Sequence, residues 1–246
     1  MITREELRKA RACAAGMLRR AGIVITKKER GNIEVADFGL DRLLETGLEI
    51  VVYENNSRYC AKELIMLPRQ TCPEHRHPPV AGDPGKTETF RVRWGKVYLY
   101  VPGSPAKRMK ARIPKGDERW YTVFHEIPLA PGEQYTIPSG TLHWFQAGQG
   151  GAIVSEFSST SRDEADIFTD RRIKRLSEVP LVQSFAGLQK KGSLSGAQHI
   201  TAGGRSVQTD GAGGRQRGGM ARPRLPADVR FSPPCAGRLP YRFAPR

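Results

Sequence analysis

The first hydrophobic pattern in the chain is that of an amphipathic helix over residues 3–20. Its apolar positions recur at three- and four-residue spacings, and they are Leu7, Ala10, Ala14, Met17 and Leu18. Thr3 stands where a helix cap would be, and Glu6 completes the Thr-x-x-Glu pattern of a capping box. Gly22 marks the end. We therefore expect a helix that lays one apolar face on the rest of the protein.

From residue 48 onward the pattern changes to short apolar runs that are separated by Gly, Pro and Asn, which is typical of strands. The predicted strands are 48–53, 62–67, 87–94, 96–101, 121–127, 134–137, 141–147 and 152–157. Gly95-Lys96 separates two of them tightly enough to form a hairpin turn. Many short strands at close spacing predict a sandwich or barrel.

The composition changes again after Pro180. Residues 181–246 carry 11 Lys/Arg, 2 Asp/Glu, 11 Gly and 6 Pro, so this segment holds +9 of the total net charge of +15. Such a composition is typical of disorder. The preceding body is only mildly basic, and its bulk charge does not indicate a nucleic-acid partner. For the RGG-like stretch 214–219, an RNA-binding tail and an extension without a role both stay open.

The chain shows no sign of secretion or membrane insertion. Its four cysteines are scattered without a CxxC pair, so they do not indicate a disulfide framework. No apolar run approaches the roughly 20 residues that span a bilayer, and the first residues do not form a signal peptide. We expect a cytoplasmic protein that does not associate with membranes.

The candidate chemistry begins with two histidines one residue apart, His75 and His77, which are flanked by prolines. Prolines disfavour a helix, and a helix would also splay the two rings about 200° apart. In an extended strand both rings lie on the same face, because side chains alternate. The pair therefore predicts two imidazoles that are aimed at one point.

Glu88 follows the histidine pair and is a carboxylate in an apolar pattern. Strand parity places it on one face with Phe90, Val92 and Trp94, towards the interior. A buried carboxylate needs a charge partner, and a metal ion supplies one. A third histidine, His143, could complete a metal site.

Two longer spacings contain these residues. The first is His75-x-His77, Glu88 and Gly95, and the second is Gly132, Pro138-Ser139-Gly140 and His143. They resemble the two cupin motifs, which place three His and one Glu inside a small β-barrel. The resemblance implies a mainly β cupin double-stranded β-helix, or jelly-roll barrel, in which His75, His77, Glu88 and His143 bind a metal.

The chain departs from the common cupin pattern in two places. Ala147 stands where the second motif usually has Asn, and the gap of eleven positions from His77 to Glu88 is longer than the common one. Neither departure removes a ligand. The longer gap is informative because it resembles one branch of the superfamily, the D-lyxose isomerases.

The likeness to D-lyxose isomerases covers roughly residues 1–178. The runs that carry it are 73–95, 139–146 and 155–164. It implies an aldose–ketose isomerase that uses a divalent metal, often manganese. Such an enzyme would interconvert D-lyxose with D-xylulose and, in many members, D-mannose with D-fructose.

These patterns together predict three segments. Residues 1–47 form an N-terminal helical segment packed on the barrel, residues 48–178 form the cupin barrel with the metal site, and residues 179–246 form a disordered basic tail. Residues 161–175, which are rich in charges, predict a loop and a short helix against the barrel. The amphipathic first helix and the family resemblance predict a homodimer.

An isomerase also needs a group that moves a proton between two sugar carbons. Glu156 is the first candidate for this base, and the family resemblance points to it too; a strand-end salt bridge is the alternative. Lys62 could bind a sugar oxygen, act as an acid or be a solvated strand lysine. Asp166 could orient Lys62 or the substrate hydroxyls. Lys86 could contact the substrate or be a loop lysine.

The ligand types do not choose one metal, because imidazoles and a carboxylate accept Mn, Fe, Co, Ni or Zn; the resemblance favours manganese. Two other functions use the same barrel. A cupin dioxygenase would hold Fe or Ni and consume oxygen, and a non-catalytic sugar-binding cupin would bind lyxose or mannose without forming a ketose. Nucleic-acid binding through the tail would depend steeply on salt. The combined motifs favour the isomerase.

Overall fold

The structure is a computed structural model that describes residues 2–175. The predicted tail over 179–246, with its RGG-like stretch, lies outside the described residues. The helices are α1 (Arg4–Arg20) and α2 (Lys27–Gly31), with short 3-10 turns at Glu118–Trp120 and Asp163–Ala165. The strands are β1 (Glu34–Ala36), β2 (Leu48–Asn55), β3 (Cys60–Met66), β4 (Thr71–Arg76), β5 (Glu88–Val101), β6 (His125–Leu129), β7 (Gln134–Ile137), β8 (His143–Ser158) and β9 (Ile167–Phe168).

Helix α1 begins where the sequence predicts. Glu6 N–H donates to Thr3 Oγ1, and Thr3 N–H donates to Glu6 Oε2 at 2.7 Å, so the capping box is complete. The apolar face of the helix packs on the outer face of the sheet through a cluster of Ala14, Met17, Leu18, Ile33, Val51, Ile65, Leu67 and Ile153. The predicted amphipathic helix is confirmed. None of the helices between residues 2 and 175 is long and apolar enough to cross a membrane.

Strand β8 organises the sheet. Within the described range nine strands form one sheet, and β8, which is 16 residues long, pairs antiparallel with β3, β4 and β5. The predicted strands 141–147 and 152–157 are therefore the two halves of one strand. A single element thus carries His143 at its start and Glu156 near its end.

The hairpin predicted at Gly95-Lys96 is wrong, because β5 runs through both residues as one strand. Gly95 has a φ of +75°, and a Cβ atom at this position would lie 2.1 Å from the carbonyl oxygen of Gly151. Glycine is needed here because β5 and β8 approach closely. The strand does not turn at this point, but its register with β8 shifts.

The predicted inward direction of Trp94 is also wrong. The register between β5 and β8 shifts between Val92 and Trp94. Glu88, Phe90 and Val92 are buried on the inner face, as strand parity predicts. Trp94 instead packs against the outer cluster beneath α1, because one irregular residue reverses the parity of all that follow.

The strand predicted over 121–127 begins only at His125. The backbone before it bonds to a side chain instead of a neighbouring strand. The buried carboxylate of Glu74 accepts from the N–H groups of Thr122 at 2.6 Å and Val123 at 3.0 Å. Trp144 Nε1 donates to the Val123 carbonyl at 2.8 Å. The apolar residues of this segment thus fill an outer cluster while its backbone stays irregular.

The interior of the curled sheet is apolar at one end and polar at the other. Its apolar residues away from the candidate site include Val92, Leu99 and Val154, whereas Leu48, Ile50, Leu64, Phe90 and Phe145 lie beside the site. Along β3, Lys62 and Leu64 face this interior while Ile65 faces α1, which is the alternation expected of a strand covered on both sides. The polar end contains the candidate site.

Glu49 on β2 is a buried acid outside that site. Its side chain is 0% exposed, and among the described residues Oε2 has no hydrogen-bond partner. Burial raises the pKa of Glu49 to about 8. The folded protein therefore favours the neutral acid. The stabilisation that neutral Glu49 gives is complete below the pKa of the unfolded chain and is lost as pH rises through the folded pKa.

We expect Glu49→Gln to remove one part of the pH dependence of stability. As pH rises from the ordinary pKa of 4.5 to about 8, Glu49 should lower the free energy of unfolding by up to about 1.4 kcal/mol per pH unit. Urea unfolding at about pH 5 and about pH 9 should show a larger loss for the wild type than for the variant. Glu54→Gln, an exposed carboxyl on the same strand, is the control. Equal losses in the wild type and Glu49→Gln would contradict the assignment.

Candidate active site

Three histidines converge at the polar end of the barrel. His75 lies on β4 directly opposite His143 on β8, and His77 follows the end of β4. One ring nitrogen from each lies within 4.8 Å of the others, and all three residues are buried. The described residues contain no second cluster of this kind. The predicted same-face arrangement of His75 and His77 is therefore present, with their ring centroids 4.9 Å apart.

The Nδ1 atom of each ring has an acceptor. His75 Nδ1 lies 2.8 Å from the Pro73 carbonyl and His143 Nδ1 lies 2.9 Å from the Thr141 carbonyl. His77 Nδ1 lies 2.5 Å from Asp166 Oδ1. A carbonyl oxygen can only accept, so Nδ1 of His75 and His143 carries the hydrogen, and the same holds for His77 beside a carboxylate. In the neutral rings, the Nε2 lone pairs are thus directed to the centre of the cluster.

Glu88 joins this cluster from the first residue of β5. Its Oε1 lies 3.2 Å from His77 Nε2 and 2.9 Å from His143 Nε2. Its other oxygen, Oε2, lies 2.7 Å from Lys86 Nζ. Gly85, with a φ of +93°, allows this approach, because a Cβ there would lie 2.6 Å from the His77 carbonyl oxygen. The loop that follows the histidine pair therefore folds back on it and delivers Lys86 and Glu88.

The site has strongly perturbed protonation. Burial raises the pKa of Glu88, but the Lys86 ammonium and His77 lower it by more, and the net pKa lies well below the ordinary value. Burial and the two other rings hold the pKa of His75 well below its ordinary value. Burial lowers the pKa of His77, but Glu88 and Asp166 raise it to about 9. A metal cation would compete with this proton for Nε2 of His77.

These donors fit a divalent metal. His143 Nε2 is buried and, among the described residues, makes no hydrogen bond even though Glu88 Oε1 is near. Three imidazole nitrogens with fixed tautomers and a nearby ionised carboxylate form a donor set that first-row transition metals accept. Such an ion would add to the positive charge that Lys86 already places beside the buried carboxylate of Glu88.

Glu156 and Glu88 contact the same ammonium group, that of Lys86. Lys86 Nζ donates to Glu156 Oε1 at 3.1 Å while it also contacts Glu88, so this buried lysine bridges the two carboxylates. Burial lowers the pKa of Lys86, but Glu156, Glu88 and further carboxylates raise it well above the ordinary value. The arrangement gives an ionised lysine and a carboxylate, Glu156, that both line the cavity beside the histidines.

Lys62 lies directly opposite Glu156 in the pairing of β3 with β8. Its Nζ donates to Ser161 Oγ and Asp163 Oδ2, each at 2.8 Å. The carboxylate at Lys62 is therefore Asp163, whereas Asp166, which the sequence suggested for this role, contacts His77. Asp163 and Arg175, which also line the cavity, were not among the predicted site residues. Both lie in the charged run 161–175, and Asp163 also lies in the run 155–164 that carries the family resemblance.

The cavity around these groups lies against the candidate ligands His75, His77 and Glu88. Its other wall is apolar and includes Phe38, Leu48, Ile50, Leu64, Phe90 and Phe168. Phe168 stacks on the ring of His75, with 5.3 Å between centroids. The cavity thus combines ionised polar groups on one wall with an apolar surface on the other.

The solved structures that resemble the fold include two L-ribose isomerases. L-ribose isomerase from Acinetobacter sp. DL28 aligns with a TM-score of 0.61 at 19% identity, and the alignment covers 70% of this chain and 94% of that chain. L-ribose isomerase from Cellulomonas parahominis aligns with a TM-score of 0.60 at 20% identity and with the same coverage. At this identity the similarity shows the fold alone, and it confirms the predicted mainly β cupin barrel.

Sequence comparisons reach further. The sequence profile of the family described as D-lyxose isomerase matches residues 20–181. The chain is 64% identical to D-lyxose ketol-isomerase from Cohnella laeviribosi over 71% of this chain and 96% of that protein. It is 60% identical to D-lyxose/D-mannose isomerase from Thermosediminibacter oceani over 73% of this chain and 99% of that protein. This chain therefore belongs to the D-lyxose isomerase family and is an isomerase enzyme.

Proposed function

We propose that this protein is a divalent-metal-dependent aldose–ketose isomerase that interconverts D-lyxose with D-xylulose, and also D-mannose with D-fructose. The observation that carries the proposal is the cluster of three buried histidines and Glu88, which lies beside a cavity that a second carboxylate, Glu156, also lines. The names of the two relatives, at 64% and 60% identity, support the choice of sugars.

His75, His77, Glu88 and His143 would hold the metal, and the family resemblance favours manganese. When bound, the ion would supply a positive charge that polarises the sugar oxygens at C1 and C2. Asp166 would keep His77 oriented, as a carboxylate does behind many metal-binding histidines.

Glu156 is the proposed base. Its carboxylate takes the C2 hydrogen of the aldose as a proton, the C2–H electron pair forms a C1–C2 double bond, and O1 gains a proton. Return of a proton to C1, together with loss of the proton on O2, leaves the carbonyl at C2 and completes the ketose. The ammonium groups of Lys86 and Lys62 are the proposed donors to the sugar oxygens.

An assay of purified protein with Mn²⁺ and a panel of aldoses tests this function. We expect ketose from D-lyxose and D-mannose, no consumption of oxygen, and loss of activity in excess chelator. Oxygen uptake without ketose would indicate a dioxygenase instead. Sugar binding without any ketose would indicate a non-catalytic cupin, and either result would contradict the proposal.

Asp166→Asn should weaken metal binding without removing a ligand. The amide keeps the shape of the carboxylate but loses the charge that faces His77 Nδ1, and losses of such partners typically cost about 10–100-fold in metal affinity. Competition with a chromogenic chelator measures the Kd. Asp83→Asn, which removes an acidic partner of the partly exposed Arg162, is the control. An unchanged Kd in Asp166→Asn would exclude this role.

The homodimer and the cytoplasmic location stay predictions from the sequence. Light scattering coupled to size-exclusion chromatography would give the mass in solution. A monomeric mass would contradict the predicted homodimer.

A further inference from the structure

Asp163 is the meeting point of three cations at the cavity. Its Oδ2 accepts from Lys62 Nζ at 2.8 Å and from Arg175 at 3.0 Å, and Lys86 Nζ lies 3.9 Å from Oδ1. Burial raises the pKa of Asp163, but Lys62, Lys86 and Arg175 lower it by more, so the carboxyl is ionised. It sits in the 3-10 turn at Asp163–Ala165, which follows strand β8.

The side chain of Lys62 is held by two groups from this same segment. Ser161 Oγ accepts from Lys62 Nζ and itself donates to Asp163 Oδ1 at 2.5 Å, so hydroxyl and carboxylate form one acceptor pair. The lysine is only 3% exposed. Its register partner across β3 and β8 is Glu156. Ser161 and Asp163 therefore hold the buried ammonium group of Lys62 beside Glu156, which lines the cavity.

Asp163 is fixed in turn by a second ion pair. Arg175 contacts Asp163 through one nitrogen and Glu34 Oε1 at 2.5 Å through the other. Glu34 lies on β1, at the edge of the sheet. The guanidinium group thus spans from an edge strand to the cavity wall, and its planar fork restrains the carboxylate between two partners.

We propose that Asp163 is a positioning residue, which holds the Lys62 ammonium beside Glu156 so that it meets the sugar, and which the Arg175–Glu34 pair keeps in place. The step from a held lysine to catalysis rests on the proposed function. Asp163 touches neither the candidate metal ligands nor the base in the described structure by any hydrogen bond or ion pair. Of the two lysines proposed to meet the sugar, Lys62 is the one in close contact with Asp163, at 2.8 Å, whereas Lys86 lies 3.9 Å away.

The first test is chemical and does not depend on turnover. Lysine acetylation by a water-soluble reagent, quantified residue by residue with mass spectrometry, reports how firmly each ammonium is held. Asp163→Asn should raise the acetylation rate of Lys62 severalfold, while Asp163→Glu should restore part of the protection. Asp170→Asn, which removes a carboxylate that pairs with Arg172 in the same segment, should leave Lys62 unchanged. Equal Lys62 rates in Asp163→Asn and the wild type would overturn the proposal.

The second test is a double-mutant cycle on ketose formation. Asp163→Asn should lower kcat on the order of 100-fold, the cost of a small displacement of a catalytic group, and Lys62→Met should lower it similarly. Since Asp163 acts through Lys62, the double variant should be no slower than the slower single variant. Multiplied losses would overturn the proposal. In a further outcome, the wild type makes no ketose while Asp163→Asn still raises the acetylation rate of Lys62. That combination would reject the proposed function and support the positioning of Lys62 by Asp163.

Discussion

Replacing Glu156 with Gln is expected to abolish most turnover while the protein keeps its metal. The amide has the same shape but cannot accept a proton from a sugar carbon, and loss of a general base typically costs about 10²–10⁴-fold in rate. Glu156 contacts Lys86 and Ser158 instead of the histidines, so the ligand cluster should stay intact. Ketose formation gives kcat, and elemental analysis after dialysis gives the metal content.

Glu63→Gln is the matched control for this variant. Glu63 is a buried carboxylate on β3, next to Lys62, and it accepts from Ser155 Oγ at 2.8 Å on the other face of the sheet. Burial raises the pKa of Glu63, yet the residue does not line the cavity. Its variant should keep wild-type turnover. A Glu156→Gln protein that isomerises lyxose at the wild-type rate would show that Glu156 is not the base.

The second large effect is expected from His143→Gln. His143 is fully buried, and its Nε2 faces the centre of the cluster with Nδ1 already satisfied by the Thr141 carbonyl. Loss of a direct ligand should weaken metal binding by more than the about 10–100-fold typical of an outer partner. The variant should therefore lose both bound metal and ketose formation. The rise in Tm that added metal gives the wild type should disappear too.

His125→Gln is the control for the loss of a histidine. His125 is exposed on β6, where Nδ1 lies 3.0 Å from the Ser104 carbonyl, away from the cavity. This variant should bind metal and turn over like the wild type. A His143→Gln protein that retains metal at the wild-type Kd would contradict the assignment of the three histidines.

The parts of the fold that follow from local periodicity were predictable from the sequence. The capping box at Thr3 and the apolar face of α1 need only residues within one helix. The shared face of His75 and His77 needs only an extended backbone. Predictions failed where a residue's structure depends on a partner that is distant in the chain. Gly95 alone indicates a turn, but its role is to let the backbone of Gly151 approach.

The same reason explains why the sequence missed Asp163 as a site residue and His77 as the partner of Asp166. The role of Asp163 depends on Lys62, and that of Asp166 on His77, and each partner lies far away along the chain. A run of mixed acidic and basic residues over 161–175 does not indicate which charges turn inward. Likewise, nothing local shows that Glu74 would bind the backbone at Thr122 and interrupt a strand.

The central claim is that this cavity isomerises an aldose by proton transfer through Glu156. Its most direct test is to incubate the metal-loaded protein with D-lyxose in deuterium oxide and to measure, over many turnovers, the mass of the ketose and of the recovered lyxose. We predict D-xylulose that carries deuterium from the solvent at C1, because the proton on the Glu156 carboxyl group exchanges with water before it returns to the sugar. Absence of ketose, or ketose and lyxose without any deuterium, would contradict the account.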